Sequence, residues 1–215
     1  LSYTTAVEVF HEQAEGLKAG GVDVVWVETI SAANEFIAAA EAFSLANMEW
    51  CGTMSFDTAG RTMFGITAPE LVDLISKIPN KPIAFGANCG VGSSDMLRTI
   101  LGFSATNNDL PIIAKENAGF PEYKNGDICY NGTPQLMGHY ATFARDCGAT
   151  IISGCCGTTP KHLRVMREAL DNHIPGIQPK LEVITKALGE FSSSSDGTDG
   201  NAPTRKRQNS RNRRK

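Results

Sequence analysis

The stretch Thr150-Ile-Ile-Ser-Gly154-Cys155-Cys156-Gly157-Thr158-Thr159-Pro160 holds three kinds of information in one short run. Thr150 to Gly154 is a β-branched and apolar segment of strand length. Thr159-Pro160 is a helix start, with a cap residue before a first-turn proline. Between them stand two adjacent cysteines bounded by glycines. The unit is therefore a strand, a short loop and a helix, with the reactive side chains at the strand's carboxyl end.

Reading outward, the same unit recurs. Strands are expected at Val22–Glu28, Trp50–Phe56, Pro82–Asn88, Pro111–Glu116 and Thr150–Gly154, each followed by a segment with helical spacing. Thr67-Ala-Pro-Glu70 has capping-box spacing, and Thr133-Pro134 repeats the cap-then-proline start. At the front, Val7, Phe10, Ala14 and Leu17 form the apolar face of a helix that precedes the first strand. Alternating strands and helices imply a parallel sheet. Length by itself allows a complete five-stranded open α/β domain.

The end of the third strand, Gly86-Ala-Asn-Cys89-Gly90, repeats the strand-then-glycine setting of Cys155 and Cys156. Successive strand residues point to opposite faces, so adjacent cysteines inside a strand could not reach one ion. Glycines at the strand end let the backbone leave that geometry. Three thiolates select zinc over calcium or magnesium, and three protein ligands leave a fourth position for substrate, as in catalytic zinc sites. A vicinal disulfide, or buried cysteines acting as small apolar residues, is the alternative reading. Cys51, Cys129 and Cys147 lack this setting and are read as structural or incidental.

The ordered set Gly86-Ala-Asn-Cys89-Gly90, Lys115-Glu-Asn-Ala-Gly119 and Ile151-Ile-Ser-Gly-Cys155-Cys156-Gly-Thr-Thr-Pro160-Lys-His-Leu163 closely resembles the zinc-dependent homocysteine S-methyltransferase family. That family includes betaine-homocysteine methyltransferases and the homocysteine domain of cobalamin-dependent methionine synthase. The resemblance runs from about Leu1 to Leu188. It implies a (β/α)8 TIM barrel of which this chain holds the last five βα units, the first three strands having no counterpart here. It also implies that Cys89, Cys155 and Cys156 bind Zn2+, that Glu28 holds the substrate's α-ammonium group, and that Asn117 is a second substrate-binding residue. The implied partners are homocysteine and a small methyl donor, either betaine or another methylated onium compound, and the product is methionine. In animal betaine enzymes an aromatic residue follows the glutamate, where Thr29 stands here; this departure tells against betaine.

Other readings of these residues stay open. Glu28 after the apolar run Val-Val-Trp-Val also suits a buried structural ion pair. Trp26 inside the strand is assigned to the core. Phe120 and Tyr123, beyond a strand end, line a donor pocket or pack within their loop. His162, in the first turn of the last predicted helix, is placed on the solvent side. Asp57-Thr-Ala-Gly60 reads as a turn. A non-catalytic zinc-binding or thiol redox protein, or an inactive truncated paralogue, is the alternative to an enzyme.

With 215 residues and 41% apolar content the chain can build one sizeable core. No apolar run is long enough to span a bilayer, and Leu1 opens directly into a helical pattern without a signal-like segment. Six cysteines are too sparse for a disulfide scaffold, which points to a reducing cytoplasm. The domain organisation is a barrel domain over 1–191 and a disordered basic tail over 192–215. Residues 1–191 carry 13 Lys/Arg against 21 Asp/Glu, a net −8, while Thr204 to Lys215 carries seven basic residues and no acidic one. Such a tail attracts anionic surfaces without specificity, and it is not assigned to nucleic-acid binding or to a membrane. The sequence is silent on oligomeric state.

Overall fold

The computed structural model describes residues 1–106, 108–124 and 126–198. Its centre is a five-stranded parallel sheet built from β1 (Val24–Ile30), β2 (Glu49–Met54), β3 (Ala84–Cys89), β4 (Ile112–Glu116) and, after a hairpin of β5 (Pro121–Lys124) and β6 (Asp127–Tyr130), β7 (Ile151–Gly154). The order is β1-β2-β3-β4-β7, each strand pairing with the preceding strand of the sheet in sequence. Helix α1 (Tyr3–Ala19) precedes the sheet; α2 (Ala33–Leu45), α3 (Ala68–Lys77), α4 (Ser93–Ser104), α5 (Pro134–Asp146), α6 (Pro160–Asp171) and α7 (Leu181–Leu188) follow in order. The five predicted strands are therefore present, with no end moved by more than two residues.

This order distinguishes an arc of a (β/α)8 barrel from a doubly wound sheet. A doubly wound sheet reverses its strand order at a switch point and covers both faces with helices. Here there is no reversal, and the helices pack side by side in sequence, α1 on α2, α3 on α4, α4 on α5 and α5 on α6. Among the described residues they cover one face only. On that face Val25 and Val27 of β1, Trp50 of β2 and Phe85 of β3 join the large core, where Trp50 meets Phe36 of α2 edge-on at 5.3 Å and Phe85 meets Phe103 of α4 at 5.2 Å. The alternate positions Cys51, Ala84 and Ile113, packed with Val24 and Ile151, form a second and smaller cluster on the opposite face. Period-two alternation thus gives the sheet an outer face under helices and an inner face that carries Trp26, Glu28, Asn88 and Lys115 near the strand ends.

Local chemistry fixes the helix starts. Thr67 and Glu70 make a reciprocal capping box at α3, and the Thr133 hydroxyl accepts the Leu136 N–H at 3.2 Å at α5. Asp57 lies in an exposed loop where Thr58 and Arg61 exchange backbone hydrogen bonds, the turn expected there. The first residues of the predicted tail lie against α4: the Ser192 N–H donates to Asp95 at 2.8 Å, and Arg98, paired with Asp95 at 2.7 Å, donates to the Ser193 carbonyl at 2.9 Å. The basic run Thr204–Lys215 falls outside the described residues. Among the described residues no helix is long and apolar enough to cross a membrane.

Candidate metal centre

β3 ends at Cys89, and the turn begins at that residue: its φ is 62°, followed by Gly90 at 95°. A left-handed conformation costs a non-glycine residue about 1–2 kcal/mol, and such strain persists where the surroundings hold it. β7 ends at Gly154, so Cys155 and Cys156 lie past the ladder in a turn closed by the Thr158 N–H donating to the Cys155 carbonyl at 3.2 Å. Off the strand, the two side chains are released from opposite faces. A Cβ on Gly154 would lie 2.2 Å from the Thr158 hydroxyl, and one on Gly157, whose φ is 75°, would lie 2.4 Å from the Tyr130 ring. The glycines around the pair are therefore required by space as well as by backbone angle.

The result is a tripod of sulfurs. Cys89 Sγ is 3.9 Å from Cys156 Sγ, Cys155 Sγ is 4.0 Å from Cys156 Sγ, and all three lie within 4.8 Å of one another. Four ligands at about 2.3 Å in a tetrahedron stand about 3.8 Å apart, so the spacing fits three corners of a thiolate metal site. Among the described residues this is the one cluster of potential metal ligands of its kind. Asp, Glu and His side chains are absent from it, and soft sulfur donors alone favour zinc-like ions.

Two asparagines hold the tripod. Asn117, at 1% exposure, accepts the Cys156 N–H on its side-chain oxygen at 3.0 Å and donates to the Gly90 carbonyl at 3.1 Å. It thereby ties the two cysteine loops together; both ends of the amide face those loops. Backbone bonds extend the same contact, from the Cys155 N–H to the Glu116 carbonyl at 2.6 Å and from the Ala118 N–H to the Cys156 carbonyl at 2.8 Å. Asn88, fully buried, donates to Cys155 Sγ at 3.7 Å.

The thiols polarise one another. The Cys89 thiol beside it holds Cys155 down, to about 5, with Asn88 and the Cys156 N–H and thiol adding to the effect against partial burial. The same contact and burial push Cys89 up. Tyr130, at the end of β6, is pushed up to about 12 by burial and by its hydrogen bond to Cys156. Behind the site, the Glu116 carboxyl is completely buried, and burial raises it well above the carboxylate range.

Glu28 stands on the inner face of β1 and pairs with Lys115 of β4, whose ammonium also lies 5.1 Å from the centre of the Trp26 ring. The pair is only partly buried. Trp26 is 39% exposed on this face, so its assignment to the core is corrected: the covered face of β1 belongs to Val25 and Val27. His162 is also corrected. It is buried at the start of α6, where its Nδ1 accepts the Thr159 N–H at 3.1 Å and its Nε2 lies 3.1 Å from the Gly132 carbonyl. It caps the helix and braces the loop before α5. Of the other cysteines, Cys51 and Cys147 are buried and Cys129 is exposed on β6.

The sequence reading missed the β5–β6 hairpin and the part played by Asn88. The Asn125-Gly126 dipeptide is the available signal for the hairpin. The hairpin brings Tyr130 against Gly157 and leaves Phe120 and Tyr123 exposed, at 48% and 77%.

Two comparisons with known proteins bear on this site. The fold is similar to that of the Escherichia coli homocysteine methyltransferase MmuM: the apo form aligns with a TM-score of 0.61 at 20% identity, covering 79% of this chain and 57% of MmuM. The metallated form aligns with a TM-score of 0.59 at 22% identity, covering 75% and 51%. The chain thus spans about half the length of these structures, and at such identities the likeness carries the fold. The sequence model described as Homocysteine S-methyltransferase matches residues 1–170, a span that includes every strand of the parallel sheet and both cysteine loops. On that match the chain belongs to the homocysteine S-methyltransferase family.

Proposed function

We propose that the protein transfers a methyl group to the sulfur of homocysteine, forming methionine, with Zn2+ held by Cys89, Cys155 and Cys156. The observation that carries this reading is the three-sulfur tripod at the carboxyl ends of β3 and β7, with edges of 3.9 and 4.0 Å and no fourth protein ligand beside it among the described residues. Zinc, when bound there, supplies a fourth position at which a substrate thiol loses its proton and is held as the nucleophile.

The chain's own residues do the rest. The Glu28–Lys115 pair presents a carboxylate and an ammonium side by side on the inner face. An α-amino acid carries the complementary charges, so Glu28 receives its ammonium and Lys115 its carboxylate. Substrate binding then exchanges one ion pair for two and leaves no charge unpaired. The sulfur of homocysteine, two methylenes beyond its α-carbon, is directed toward the cysteine loops at the strand ends. Asn117 keeps those loops in register and is a positioning residue.

In the reaction a bond forms between the homocysteine sulfur and the methyl carbon. The bond from that carbon to the donor's heteroatom breaks, its electron pair staying with the donor. The donor is a methylated onium compound. Support comes from the exposed rings of Phe120, just before the hairpin, and Tyr123, and from Tyr130 beside Cys156, since aromatic faces attract an onium charge. All six cysteines are free, which suits a reducing compartment such as the cytoplasm.

The test is zinc K-edge X-ray absorption on the purified protein, with and without homocysteine. Three sulfur neighbours rising to four supports the reading. Four protein ligands from the start, or failure to take up zinc, overturns it in favour of a structural or thiol redox role.

A further inference from the structure

Asn88 is the most completely engaged polar side chain near the sulfurs, and it is fully buried. Its oxygen accepts the Thr29 N–H at 2.8 Å and the Thr53 hydroxyl at 2.7 Å. Its nitrogen donates to the Thr29 hydroxyl at 2.8 Å and to Cys155 Sγ at 3.7 Å. A carboxamide offers two donors and two acceptor positions, so all four are used. The orientation follows from chemistry: the backbone N–H of Thr29 can only donate, so the amide oxygen must face it and the NH2 group must turn toward Cys155.

The other end of this connection is strained. Thr29 has a φ of 65°, a left-handed conformation that is a genuine outlier for a β-branched residue. The β1–β2 register shifts between Val27 and Ile30, a bulge-type irregularity that takes in Glu28 and Thr29. Asn88 grips the bulge at both the N–H and the hydroxyl of Thr29. Its backbone is also held, by the Ser55 hydroxyl donating to its carbonyl at 3.0 Å. One rigid amide therefore spans from the residue after Glu28 to a sulfur of the tripod.

We propose that Asn88 is a positioning residue that couples the Glu28–Thr29 bulge to the Cys155 sulfur, setting together the grip on the substrate's amino group and the geometry of the thiolates. This inference rests on the methyl-transfer reading. Its physical content is that the N–H···S bond withdraws charge from the Cys155 sulfur and fixes its direction, as outer hydrogen bonds do for metal ligands generally. A buried amide that merely satisfied the core would contribute stability and nothing more.

The first test needs no substitution. In 15N-labelled protein loaded with 113Cd, one Asn88 side-chain amide proton is expected to show scalar coupling to the metal through the hydrogen-bonded sulfur. Cadmium uptake without that coupling overturns this inference alone; no cadmium uptake overturns the metal reading and this inference with it.

The second test compares Asn88→Asp with Thr53→Val. Thr53→Val removes a bond on the oxygen side of the amide and is expected to lower stability while leaving the sulfur-to-cobalt charge-transfer band of the Co(II) protein in place. Asn88→Asp is expected to move that band and weaken homocysteine binding by about tenfold or more, the range seen for outer-shell partners. An Asn88→Asp protein with wild-type band and homocysteine affinity, altered only in stability, overturns the proposal.

Discussion

The backbone N–H of Cys156 donates to the side-chain oxygen of Asn117 at 3.0 Å, while the same amide's nitrogen donates to the carbonyl of Gly90, the residue after Cys89. One side chain on the β4 loop thus joins the loops after β3 and β7. Asn117→Ala is expected to lower zinc affinity by about 10–100-fold without changing the number of sulfur ligands. Chelator competition measures the affinity and X-ray absorption the ligand count. A wild-type affinity would show that the backbone bonds hold the loops unaided.

The cysteines themselves should behave differently from their supports. Cys155→Ala and Cys156→Ala are each expected to weaken zinc by more than about 100-fold, beyond the range of a supporting residue. Cys129→Ala, on the exposed hairpin, should keep full occupancy. Metal analysis after gel filtration decides the point, and zinc retained in either variant of the pair would remove the assignment.

Glu28→Ala should leave zinc bound and raise the homocysteine KM by about 10–100-fold, equivalent to losing a charged hydrogen bond of about 1.5–3 kcal/mol. It also strands Lys115 without its carboxylate. If Lys115 receives the substrate carboxylate, Lys115→Met raises the same KM, and the double variant shows less than the sum of the two. Loss of zinc from Glu28→Ala would instead make Glu28 a support of the metal site.

Glu116 links the site's scaffold to pH. Burial holds its folded-state pKa well above that of the unfolded chain. Its stabilising contribution is thus fully present below the unfolded value, about 4.3, and is lost as pH rises toward the folded value. Glu116→Gln should flatten the fall of stability with rising pH. Urea unfolding of the metal-free protein between pH 4 and 8 measures the slope, and an unchanged slope would place the titration elsewhere.

Gly157→Ala adds a methyl where φ is 75° and the Tyr130 ring stands 2.4 Å from the new atom. A loss of at least about 1–2 kcal/mol is expected from the backbone alone. A thermal melt of the metal-free protein reads this, and an unchanged Tm would mean that the hairpin yields freely.

Much of the molecule was legible before any coordinate. Apolar runs bounded by turn residues located the five strands, and Thr67, Thr133 and Thr159 marked helix starts, because both signals are local: a strand's burial and a helix's free N–H groups are met by residues close in sequence. Glycines beside Cys89 and Cys155-Cys156 announced loops at strand ends for the same reason. The hairpin was lost because its strands are four residues long and largely exposed, leaving little alternation to detect.

What the sequence by itself determined is the parallel α/β arrangement and the placing of three cysteines at strand ends, since strand periodicity, capping and residue chemistry act over a few positions. Only the tertiary structure decided how those thiols are held and what surrounds them. His162 turned inward because a carbonyl 30 residues away, at Gly132, meets its ring. Trp26 was left on the inner face because β1 buries its alternate valines under α2. Asn88 became the link between Thr29 and Cys155, 59 and 67 positions distant, because parallel pairing brings successive strand ends to one side of the sheet. Such partners are set by register and burial across the whole fold, and no short window of sequence contains them.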